Sequence, residues 1–119
     1  MTSDPVMDSD LRDTMKSTDR LCDALDGIAG VVSGKSRFGS RRNRAWTIDG
    51  REFAHLHSAT VLDLRLPRKM QAVLRGDRRA RFRASASEWV ELEFRSATDV
   101  AEMAALAAKA AQANARRRR

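Results

Sequence analysis

Apolar residues recur at helical spacing near the start of the chain, at Leu11, Met15, Cys22, Leu25 and Ile28, with Thr18 completing the stripe. Asp13, Lys16, Asp19, Arg20 and Asp23 occupy the other faces, so the spacing predicts an amphipathic helix over residues 10–26. Asp8 or Ser9 is positioned to cap it, and Gly27 and Gly30 to end it. The period then shortens. Two strand-like runs, one ending Trp46-Thr47-Ile48 and one starting at Arg51, flank Asp49-Gly50. That dipeptide predicts a two-residue hairpin turn of type I′, whose central residues both take positive φ. Counting outward sets Ile48 opposite Arg51, Thr47 opposite Glu52, Trp46 opposite Phe53 and Arg44 opposite His55. On that register Trp46, Phe53, His55 and His57 share one face.

Further along, Val61 to Leu66 alternates, with Leu62, Leu64 and Leu66 directed to a core and Asp63 and Arg65 to the opposite surface. Pro67 opens a short helix running to Gly76. Trp89 to Phe94 alternates again, with Val90, Leu92 and Phe94 inward and Glu91 and Glu93 on the side of Trp89. Ser96 and Asp99 mark the start of an alanine-rich helix over residues 97–113. The segment VVSGKSRFGSRRNR reads as a loop. GDRRARFRAS reads as a strand or ordered loop with Phe82 anchored in the core. The order predicts an α+β two-layer domain with a mainly antiparallel sheet of four or five strands against the helices. Residues 1–8 are expected as a flexible arm, 9–115 as a single domain and 116–119 as a basic tail. One feature of the hairpin conflicts with a simple two-layer plan, because Ala45, Ala54 and Leu56 fall opposite Trp46 and Phe53 and give both faces apolar content. Cover from the basic loop or from a second subunit is the expected remedy.

The 119 residues, 42% hydrophobic and 33% charged, suit one modest soluble domain. No apolar run is long enough to span a bilayer and the acidic start is unlike a signal peptide, so a cytoplasmic protein without membrane contact is expected. Cys22, the single cysteine, reads as a buried inert thiol. The net charge of +7 is unevenly spread: residues 1–30 carry seven Asp against Arg12, Lys16 and Arg20, net −4, leaving +11 for the remainder. That basic remainder would attract anions or nucleic acid. Arg37, Arg41, Arg42, Arg78 and Arg79 form the candidate patch. Gly34-Lys35-Ser36 resembles the end of a phosphate-binding loop, but Ala29 stands where the motif requires glycine and no strand precedes it.

The chemistry-bearing candidates gather on the hairpin. His55, His57, Arg44, Arg51, Arg65 and Trp46 are the expected ligand-binding residues, the arginines offering bidentate donors and the histidines directional ones. His55 or His57 is the candidate for acid/base work with Asp63 or Glu52 as orienter, and His55, His57 and Asp63 are the alternative candidates for a metal site. No cofactor is expected. The readings that follow are a small binding or interaction module for an anionic small molecule or a protein partner, a basic nucleic-acid-associated protein, or a small enzyme using the histidines. A homodimer is a further expected arrangement.

The run Glu52-Phe53-Ala54-His55-Leu56-His57, followed by Val61-Leu62-Asp63-Leu64-Arg65-Leu66-Pro67, resembles the luciferase-domain family of small proteins of unknown function, over about residues 44–113. The resemblance implies a Glu-x-x-His-x-His strand, a strand of alternating leucines, a short helix, a further strand and a closing helix. His55 and His57 match the paired histidines. Many relatives have a histidine near the position of Asp63 and a Gly-Trp followed by His after the short helix; this chain has Asp63 and an arginine-rich 75–83 segment instead.

Overall fold

The computed structural model describes residues 5–35, 44–83 and 87–115. The amphipathic stripe forms α1 (Pro5–Asp26), which begins within the stretch expected as an arm. A proline is compatible with the first turn, where its missing N–H is not needed. Next comes β1 (Val31–Lys35), an edge strand where a loop was expected. Among the described strands it pairs with β2 (Arg44–Ile48) alone, so nothing forces an alternating apolar pattern on it, and Val32, Ser33 and Gly34 remain exposed.

The hairpin follows as β2 and β3 (Arg51–Ser58). Asp49 and Gly50 have φ of 52° and 78°, as the type I′ turn demands. A Cβ at Gly50 would meet nothing within 4 Å, so Gly50→Ala incurs only the backbone cost of the left-handed region. A loss of about 1 kcal/mol in urea unfolding is expected.

The remaining elements are β4 (Val61–Arg65), α2 (Arg68–Gln71) with a 3₁₀ turn at Ala72–Leu74, β5 (Ala80–Phe82), β6 (Trp89–Glu93) and α3 (Ala97–Asn114). Pro67 caps α2 rather than occupying its first turn. The Ser96 hydroxyl accepts the Asp99 amide at 3.1 Å and the Asp99 carboxylate accepts the Ser96 amide at 3.2 Å, so the capping box is complete.

All strand pairs are antiparallel and the order is β1-β2-β3-β4-β6-β5. The fold is α+β, with six strands among the described residues rather than four or five; the strand not expected is β1, at one edge. α1 and α3 cover one face. Leu21 and Leu25 of α1 and Met103, Ala107 and Ala110 of α3 meet Phe53, Leu56, Leu62, Leu64, Val90 and Leu92 of the sheet. Phe82 is not the core anchor expected of it, being 43% exposed on the outermost strand.

Two β-bulges decide what the other face carries. Trp46 pairs with Ala54 and Thr47 with Glu52, so Phe53 is an inserted residue. The insertion corrects the counted register: Trp46 is opposite Ala54, not Phe53, and His55 is opposite Ala45, not Arg44. Trp46, Phe53, Ala54 and Leu56 thereby all enter the core, and of the apolar hairpin residues in question Ala45, opposite His55, is left on the other face. The bulge also lets Glu52 and His55, three residues apart, project on the same face, the one opposite α1 and α3, which is open among the described residues. Leu56 pairs with Leu62 and Ser58 with Val61, leaving His57 as the second inserted residue.

Candidate functional site around Asp63

Asp63 lies at the centre of the open face. Strand pairing sets it opposite His55 on β3 and opposite Glu91 on β6, and Glu91 in turn lies opposite Arg81 on β5. Its exposure is 0%. A carboxylate so enclosed loses several kcal/mol of hydration and is stable only with compensating partners. One oxygen, Oδ2, collects them all: His55 Nε2 at 2.7 Å, Arg83 Nη2 at 3.2 Å and His57 Nδ1 at 3.4 Å. The other, Oδ1, is buried and has no hydrogen-bond partner among the described residues.

His55 is held from several sides. Its Nδ1 lies 3.1 Å from Glu52 Oε2, and its ring packs against the Trp89 indole with centroids 4.8 Å apart and planes tilted by 46°. His57 is 51% exposed, so one edge of its ring faces Asp63 while the rest reaches solvent. Arg83 bridges Asp63 and Glu91, approaching Glu91 Oε2 at 3.5 Å. Donor atoms of His57, Asp63 and Glu91 all lie within 4.8 Å of one another. At the margin, Arg65 Nε donates to Glu88 Oε1 at 3.1 Å, and Arg51 approaches the same oxygen at 3.6 Å.

Five expected site residues, His55, His57, Asp63, Arg51 and Arg65, therefore meet on this face. Trp46 and Arg44 do not. Trp46 faces the helices and its Nε1 donates to Asp26 Oδ1 at 2.8 Å; Arg44 Nη2 donates to both Asp26 oxygens at 3.0 Å and lies 5.3 Å from the centre of the Trp46 ring. The indole hydrogen bond, then the Arg44 contacts, hold the Asp26 carboxyl below its ordinary range. Arg79 is committed on the helix side to Asp77 at 2.8 Å, Asp99 at 2.8 Å and Glu102 at 2.9 Å, and its hydrogen bonds bring Asp77 down to about 2. It is not part of an open anion patch, whereas Arg78 is exposed. Arg37, Arg41 and Arg42 lie outside the described residues. Cys22 is buried as expected, and burial pushes its thiol up.

Sequence reasoning missed Arg83 and Trp89 as site residues and set Glu91 only on the Trp89 side of its strand; Glu52, expected as a possible orienter of a histidine, does contact His55. Glu91 had a signal, the alternation of β6, but its neighbour depends on β6 pairing with β4.

A family model described as Luciferase domain matches residues 50–110. The chain belongs to the Luciferase domain family. The Luciferase-domain match takes in every residue of the Asp63 cluster and leaves Arg44 and Trp46 outside it. Neither curated proteins nor solved structures gave a match. No helix among the described residues is long and apolar enough to cross a membrane.

Proposed function

We propose that this Luciferase-domain chain is a binding domain that takes a small anionic molecule, or a carboxylate presented by a protein partner, on the open face around Asp63. The observation that carries the reading is the way carboxylates hold the donors in place. Asp63 gathers His55, His57 and Arg83, and Glu88 gathers Arg51 and Arg65, all on one face. Donors fixed in this way lose little rotamer freedom on binding, and each arginine offers a bidentate fork. Calorimetric titration at low salt with inorganic phosphate and with citrate tests it. Saturable binding of at least one anion, weakened at least about tenfold in Arg65→Ala or His57→Ala, is expected, since a charge-assisted hydrogen bond contributes about 1.5–3 kcal/mol. No binding of either anion would overturn the reading.

A second reading is favoured by the half-exposed His57. With Nδ1 set by Asp63, the free edge of the ring is placed to take a proton from a bound ligand and return it, the arrangement of a carboxylate-oriented general base. Turnover of a nitrophenyl ester or phosphate that disappears in His57→Ala would favour this reading over simple binding.

A further inference from the structure

We propose that His57, Asp63 and Glu91 form a site for a divalent first-row metal ion of the zinc or manganese class, and that Arg83 holds the place of that cation until the metal displaces it. The three side chains come from β3, β4 and β6, adjacent strands of one sheet, and their donor atoms lie within 4.8 Å of one another. Donors around a tetrahedral zinc ion are about 3.4 Å apart, so the cluster must contract slightly. His57, half exposed and on a bulge, has the freedom to move, while Asp63 is fixed by burial.

A separate observation points to a missing partner. Asp63 Oδ1 is fully buried and accepts no hydrogen bond among the described residues, although nearly all such oxygens in folded proteins are satisfied. A cation that Asp63 ligates through both oxygens, in place of the contacts now made to Oδ2 alone, would satisfy it. The Arg83 guanidinium already bridges Asp63 and Glu91 at 3.2 and 3.5 Å, which marks the point between them as favourable for positive charge. Arg83 is 44% exposed and leaves the end of an edge strand, so it can swing into water.

The donor chemistry sets the class of ion. One imidazole and two carboxylates suit zinc or manganese, whereas calcium and magnesium favour all-oxygen sets and no thiolate is present to select copper(I). His55, set between Asp63 Oδ2 at 2.7 Å and Glu52 at 3.1 Å, supplies the outer hydrogen bonding that ligating carboxylates generally have. The inference concerns a cation and does not depend on the anion-binding reading of the same face.

Full-length protein, stripped with chelator and exchanged into chloride buffer, is titrated calorimetrically with zinc chloride and with manganese chloride. Saturation at one equivalent by at least one of the two is expected. His57→Ala and Glu91→Gln, both at positions that reach solvent, should each weaken it at least tenfold with thermal midpoints close to wild type. Arg83→Gln, which removes the competitor, should tighten it several-fold. No saturable binding, or equal affinity in wild type, His57→Ala and Glu91→Gln, would overturn the site; weaker binding in Arg83→Gln would overturn the placeholder role. Phosphate binding without metal binding sinks this proposal and spares the anion reading, and metal binding without phosphate binding does the reverse.

Discussion

Trp46→Ala is expected to lower the free energy of unfolding by about 4 kcal/mol, the cost of emptying a fully enclosed aromatic site. The residue carries more than volume, because its indole N–H joins β2 to the end of α1 through Asp26. Trp46→Phe separates the two effects: the ring is largely kept, the hydrogen bond is lost, and about 1–1.5 kcal/mol should go with it. Acid titration of stability adds a directional check. The Asp26 carboxyl is lowered in the folded state, so its contribution is present above the ordinary carboxylate range and is lost as pH falls through that range and below it. The acid side of the stability profile should therefore be shallower in Trp46→Phe than in wild type. Urea unfolding across pH measures all three quantities, and a loss below about 2 kcal/mol in Trp46→Ala would mean that the site is not enclosed by α1.

Asp63→Ala is expected to lower stability by about 3 kcal/mol, because it takes the shared acceptor from buried His55 while Arg83 and His57 turn to water. Replacing both members of the tightest pair, as His55→Leu with Asp63→Leu, should recover most of that loss, since apolar isosteres of a buried polar pair are often neutral. Chemical unfolding of the two single variants and the double variant closes the cycle. A double variant as unstable as the worse single one would show that the network is kept for stability. Recovery would show that apolar residues serve the fold as well at this place, and that the Asp63 cluster answers to binding or chemistry.

Much of the frame could be read from the chain alone, because its signals are local. Asp49-Gly50 dictates its own backbone, Ser96 and Asp99 satisfy each other within one turn, and the leucines of β4 alternate whatever lies beside them. What could not be read depends on distant neighbours. The bulge at Phe53 exists because the ring is drawn into the core beside Trp46, and no pattern within six residues announces that choice. Its consequence is large: the histidines face away from the aromatics with which simple counting groups them. β1 hides for a different reason, since an edge strand with an exposed outer surface tolerates Ser33 and Gly34. The site is spread over β3, β4 and β6, and β6 inserts between β4 and the earlier β5. Chain order would have set β5 beside β4 and left Glu91 away from His57.

The sharpest test of the open-face assignment is a chemical-shift map of nitrogen-15-labelled protein titrated with inorganic phosphate at low salt. Shifts concentrated at 55–58, 62–65 and 89–93, with the amides of α1 and α3 nearly still, are the expected result. Shifts confined to the helices, or to the basic segments 36–43 and 116–119, would contradict it and move the binding surface away from Asp63.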